Sequence, residues 1–194
     1  LDQTPFYGES GGQIGDIGVL ESNGCSVQIT DTKKNNELIL HSGKVIKGKL
    51  EKDSIVHAKV DHQWRNAIRR NHTATHILHY ALCRVIGQHA EQAGSLVSNE
   101  RMRFDFQHFS GLTREELTQI EDIVNEKILG NAPLSVKELT IQEAKKAGAK
   151  ALFGEKYGER VRMVSVGDFS KELCGGTHVN SSGEIGLFKI IAES

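Results

Sequence analysis

Two short patterns, far apart in the chain, constrain its fold more than any other feature. His72 and His76 stand as H-x-x-x-H, and Cys174 and His178 as C-x-x-x-H about a hundred residues later. Side chains four positions apart share one face of a helix, so the first pair offers two imidazoles to a single ion. The second pair lies in Cys174-Gly175-Gly176-Thr177-His178, a glycine-rich turn that adds a thiolate and an imidazole. Together they make a set of one cysteine and three histidines. Soft sulfur with imidazole favours Zn2+ over Mg2+ or Ca2+. One zinc per chain would tie a central helix to a C-terminal loop.

The surroundings of each pair indicate what carries it. From about Gln63 to Ile86, the residues Ala67, Ile68, Ala74, Leu78, Ala81, Leu82 and Val85 recur at helical spacing without Pro or Gly. Gly87 is a natural stop. Ahead of this helix, residues 1–62 are rich in glycine, and strands are expected at 18–21, 25–30, 37–41 and 54–60. After it, a strand is expected at Arg101 to Phe106. Capping boxes at Thr113–Glu116 and Thr140–Glu143 open helices ending near Leu129 and Gly148. Val161 to Val166 and Ile185 to Ala192 read as further strands. The irregular order of elements predicts an α+β fold. Residues 1–62 read as a small N-terminal β-barrel-like subdomain, and 63–194 as a zinc-binding α+β core.

Composition narrows the function. Lys and Arg number 24 against 25 Asp and Glu, which excludes a uniformly basic nucleic-acid binder but leaves room for a local basic patch. Three widely spaced Cys argue against a disulfide framework and for a reducing, cytoplasmic setting. Cys25 and Cys83 read as small buried residues. No apolar run approaches membrane-spanning length, so no membrane partner is expected. The chain opens on Leu1, not Met, and reads as an internal piece of something longer. Of nine His, His41, His57, His62, His89 and His108 read as surface residues, and His79 as a residue of the helix surface.

Two familiar chemistries are disfavoured. Zinc peptidases carry a Glu between their helical histidines, whereas Thr73, Ala74 and Thr75 stand there in this chain. The run Gly11-Gly12-Gln13-Ile14-Gly15-Asp16-Ile17-Gly18 fits neither common nucleotide-binding glycine pattern. It reads as a turn between strands, with Glu9 and Asp16 as solvated loop carboxylates. Four protein ligands would also close a tetrahedral zinc, the pattern of a structural site, while catalytic zinc keeps a position open. Both readings stand at the level of sequence.

Several segments together resemble the editing domain of alanyl-tRNA synthetase. They are Thr4-Pro5-Phe6-Tyr7-Gly8-Glu9-Ser10-Gly11-Gly12-Gln13, Arg70-Asn71-His72-Thr73-Ala74-Thr75-His76, Gln92-Ala93-Gly94-Ser95, Arg103-Phe104-Asp105-Phe106, Ala151-Leu152-Phe153-Gly154-Glu155-Lys156-Tyr157-Gly158 and Glu172-Leu173-Cys174-Gly175-Gly176-Thr177-His178-Val179. The metal motif is shared with threonyl-tRNA synthetase and with free-standing trans-editing proteins. The resemblance implies hydrolysis of the ester joining serine or glycine to tRNA(Ala), with His72, His76, Cys174 and His178 as zinc ligands. Thr75 and Gln92 match family positions near the aminoacyl group. No protein general base is evident, so catalysis would rest on positioning, with zinc and the terminal ribose hydroxyl assisting.

The partners implied are the acceptor end of tRNA(Ala) and the remaining domains of a parent synthetase. Arg69, Arg70, Arg101 and Arg103, with Arg65 and the Lys145-Lys146 pair, read either as phosphate contacts or as salt-bridged surface. No ATP-binding segment is evident, so charging of tRNA is not expected of this piece. A free-standing deacylase and a zinc-stabilised tRNA-binding module without catalysis are the alternatives.

Overall fold

A computed structural model describes residues 1–150 and 158–194. The Ala151–Tyr157 part of the resemblance lies outside the described residues. Four strands come first: β1 (Gly18–Ser22), β2 (Cys25–Asn35), β3 (Leu38–Lys47) and β4 (His57–Val60). They form one antiparallel sheet in the order β3-β2-β1-β4. In β2 alternate residues Cys25, Val27 and Ile29 point inward, where they pack with Phe6 and Leu20. Two irregularities in the β2–β3 register bend the sheet. The α+β class holds, but the sheet does not close, so the barrel-like description is loose.

Helix α1 (His62–Val85) comes next, capped by Asp61, whose carboxylate accepts from the Trp64 amide. Every residue from His72 to His79 is buried, so these two turns are enclosed on all sides. The enclosing elements are α2 (Arg114–Leu129), the strands β5 (Gln92–Val97) and β6 (Met102–Phe106), and β9 (Ser170–Leu173). Ala74, Ile77, Leu78, Ala81 and Leu82 meet Ile120, Val124 and Ile128 of α2 in the main core. Both capping boxes form, at Thr113/Glu116 for α2 and at Thr140/Glu143 for the short α3 (Ile141–Lys146). Strands β7 (Leu134–Thr140), β8 (Arg160–Val166) and β9 make an antiparallel sheet that delivers Glu172 and Cys174 to the side of α1.

The structure corrects one expectation here and adds three strands. Residues 185–192 form no strand: a 3-10 turn covers Ser182–Ile185, and the chain beyond it is irregular. The reason is where the backbone bonds go. Asn125 of α2 pairs with both the N–H and the C=O of Phe188, and Glu121 accepts from the Ile190 amide. These side chains replace a strand partner. Conversely, β5, β7 and β9 were not expected. The β5 sequence Gln-Ala-Gly-Ser-Leu-Val lacks alternation, and β7 is mostly exposed. No helix among the described residues is long and apolar enough to cross a membrane.

Candidate metal centre

His72, His76, Cys174 and His178 come together as expected, all four buried, with one ligand atom of each within 4.8 Å of the others. Cys174 Sγ lies 3.3 Å from Nε2 of both His72 and His178. Tetrahedral zinc, with bonds of about 2.0–2.3 Å, sets sulfur and nitrogen ligands about 3.5 Å apart. The His72 and His76 rings stack at 5.4 Å, as residues one helical turn apart should.

The outer nitrogen of each ring has a partner that decides its tautomer. Glu172 accepts from His76 Nδ1 at 2.6 Å, so His76 presents Nε2 inward, where that atom has no hydrogen-bond partner. Thr73 donates its hydroxyl proton to the Arg69 carbonyl, so toward His178 Nδ1 it can only accept. Gln13 Oε1 accepts from the Thr177 amide, so the His72 Nδ1 that meets it at 2.7 Å carries a proton. Three ring nitrogens and one sulfur thus converge. That arrangement is favourable around a cation, so the residues present fit the metal.

The electrostatics agree. Burial alone would raise the Cys174 thiol, but the neighbouring imidazoles, His72 first, pull it well below its usual value toward thiolate. Burial likewise disfavours a charged His76, yet the negative charges of Glu172 and Cys174 raise it to about 10. His178 goes the other way, to about 3, because burial disfavours its protonation. The metal-free cluster therefore carries a proton on His76 where a metal would place its own charge.

Around the cluster lies a cavity of about 110 Å3, lined by Thr75, Gln92 and Ser95 beside His72, His76 and Cys174. Tyr7, Ser10 and Gly11 cover it from the N-terminal segment. Thr75 donates to the Asn71 carbonyl at 2.9 Å, which leaves its oxygen as an acceptor. Gln92 Nε2 donates to Ser95 Oγ at 3.3 Å. The space suits a small polar group.

Other residues fall elsewhere. Arg65 forms an ion pair with the fully buried Asp16, so this carboxylate is not a solvated loop group as expected. Arg69 donates to the His178 carbonyl and holds the ligand loop. Arg103 pairs with Asp105 at 2.9 Å, while Arg70 and Arg101 line a groove beside β6. Lys145 and Lys146 sit on exposed α3. His79 is buried, not on the helix surface, and donates to the second Glu172 oxygen at 2.7 Å. Gln13, Thr73 and Glu172 were missed as supports of the centre. Glu172 alone had a sequence signal, its place two residues before Cys174. Arg162 was missed too; it bonds the Cys174 and Gly176 carbonyls, both at 2.8 Å.

Two protein families match parts of this chain. Residues 1–64 match the family described as tRNA synthetases class II (A). Residues 161–194 match the threonyl and alanyl tRNA synthetase second additional domain. Both matches are to families of aminoacyl-tRNA synthetase segments, and the candidate metal centre draws residues from both matched parts. The whole chain is 56% identical over 193 residues to an alanine–tRNA ligase of Legionella pneumophila (strain Paris) and 55% identical to one of Francisella tularensis subsp. novicida. A relative from Bacillus velezensis is 56% identical over 195 residues. The chain spans about 22% of the length of these relatives. Along its whole length the chain is thus similar to one segment of alanine–tRNA ligases.

Proposed function

We propose that this chain hydrolyses the ester of serine or glycine wrongly joined to tRNA(Ala), as the editing module of an alanyl-tRNA synthetase, in the cytoplasm. In this reading the glycine-rich unit over 1–62 covers a site borne by 63–194. The observation that carries it is the small cavity where Thr75 and Gln92 meet the cluster of three histidines and one cysteine. A synthetase pocket rejects serine poorly, because an added hydroxyl costs little, and cannot exclude the smaller glycine. A second site that binds the hydroxyl reverses the problem, since alanine would leave its polar groups unpaired.

The work divides among the protein groups. Thr75 Oγ1, its own proton committed to Asn71, accepts from the serine hydroxyl. The Gln92 amide orients the aminoacyl group, and the enclosing residues 7–11 limit its size. His72, His76, Cys174 and His178 would hold Zn2+, which supplies Lewis-acid and ordering charge when bound. Among the described residues no carboxylate lines the cavity, so attack by water depends on placement of the ester. Arg70, Arg101 and Arg103 stand on one groove and are the candidates for phosphate contact.

Deacylation of Ser-, Gly- and Ala-tRNA(Ala) measured side by side tests this. Serine and glycine released well above the uncatalysed rate, with alanine spared, is the expected result. No release by a zinc-loaded chain that still binds tRNA would favour the second reading, a zinc-stabilised tRNA-binding module. The closed four-ligand set is the observation on its side.

A further inference from the structure

Gln13 belongs to the N-terminal glycine-rich turn, far in sequence from every ligand, yet it is fully buried against the metal centre. Its Oε1 is the meeting point of the two segments that build the cluster. His72 Nδ1 of α1 lies 2.7 Å from it, and the Thr177 amide and hydroxyl of the ligand loop lie 2.9 and 3.2 Å away. Its Nε2 is buried without a hydrogen-bond partner. Such an orphan is costly, so the residue is not explained as an ordinary satisfied core amide.

We propose that Gln13 is a positioning residue of the metal centre, and that the N-terminal glycine-rich turn is part of that centre. The inference rests on the zinc reading above. The Thr177 N–H can only donate, which fixes the atom facing it as the amide oxygen. That oxygen in turn requires a proton on His72 Nδ1 and leaves Nε2 bare toward Cys174. The same atom pins the loop that carries Cys174 and His178. The turn is held for this task by the backbone: Ile14 N donates to Val97 O at 3.1 Å, and Val97 N to Gly12 O at 2.8 Å. A segment matched to the class II (A) synthetase family thus completes a centre whose loop is matched to the second additional domain.

Two substitutions separate an acceptor role from packing. Gln13→Met keeps the volume and removes the acceptor; Gln13→Glu keeps acceptors for His72 and Thr177. Zinc affinity of the whole chain is measured by chelator competition, and the geometry by the visible spectrum of the Co2+-loaded protein. The Met variant is expected to bind zinc on the order of 10- to 100-fold more weakly, with altered Co2+ bands. The Glu variant is expected within a few-fold of the native chain. Native-like binding in the Met variant, or equal weakening in both, would overturn the proposal. A third measurement needs no variant: long-range nitrogen NMR should show His72 protonated at Nδ1, and protonation at Nε2 would sink the idea. If the native chain binds no zinc, the zinc reading fails, while the His72 tautomer still decides the role of Gln13.

Discussion

At the scale of single residues, Gly176 shows how closely the ligand loop is drawn to the helix. A Cβ there would lie 2.0 Å from His72 Cε1 and 2.8 Å from Gln13 Oε1. Only glycine lets the loop backbone pass. Gly176→Ala should therefore displace His72 and cost most of the bound zinc while helix content persists. A full zinc complement in that variant, by metal analysis, would contradict the picture. Cys174→Ala should act likewise through loss of the sulfur. Thr75→Val tests discrimination separately. It keeps the volume and removes the acceptor, so serine release should fall on the order of tenfold, the worth of one hydrogen bond. Glycine has no hydroxyl to read, and its release should change little. A matched loss for both substrates would assign Thr75 to structure instead.

At the scale of elements, the question is what sets α1 in place. Asp61 caps it, and one turn later Arg65 clasps Asp16 through two guanidinium nitrogens. Asp16 also accepts from the Tyr7 amide at 2.5 Å, and Trp64 Nε1 donates to the Gly15 carbonyl at 3.1 Å. The glycine-rich turn is thereby stapled to the start of the helix that carries the histidines. Asp16→Ala removes the carboxylate that Arg65 and the Tyr7 amide share. Breaking a buried pair costs about 3–5 kcal/mol, and Arg65 is partly exposed, so the lower end applies. Denaturant unfolding of this variant should show that loss; a change under about 1 kcal/mol would mean that the staple is dispensable. The capping box of α2 matters less. Thr113→Ala should cost about 0.5–2 kcal/mol.

At the scale of the molecule, a metal would join α1 to a loop 102 residues on, across the main core. Removing it should lower the unfolding temperature, because the ion binds the folded chain and not the unfolded one. The pH dependence has a sign. His76, raised to about 10 in the metal-free chain, contributes stability that is complete below its ordinary value of 6.5 and is lost as pH rises toward 10. Glu172, held below the usual carboxylate range once the charge and hydrogen bonds of His76 overcome burial, contributes above that range and loses it in acid. A bound ion replaces the His76 proton. The zinc-loaded chain should therefore keep its stability where the metal-free chain declines, and the gap between them should widen from about pH 7 to about pH 10. A constant gap would contradict the competition of proton and metal.

Much of this was legible in order along the chain. The helix from residue 62, both capping boxes, the alternation of β2 and the four ligands are local patterns, set by backbone geometry and side-chain spacing. Local patterns also carried the resemblance to the editing domain, which the family comparisons uphold. What the residues could not show is which distant groups would stand beside them. The burial of His79, the grip of Gln13 on His72, the two-handed Glu172 and the fate of residues 185–192 depend on partners 59 to 96 positions away. A histidine or glutamine carries no periodic mark of its partner. The sequence by itself determined the four residues that gather as a candidate ligand set and the elements that bear them. Only the tertiary structure decided which nitrogen of each imidazole faces the centre, because that choice belongs to hydrogen bonds made between elements after they pack.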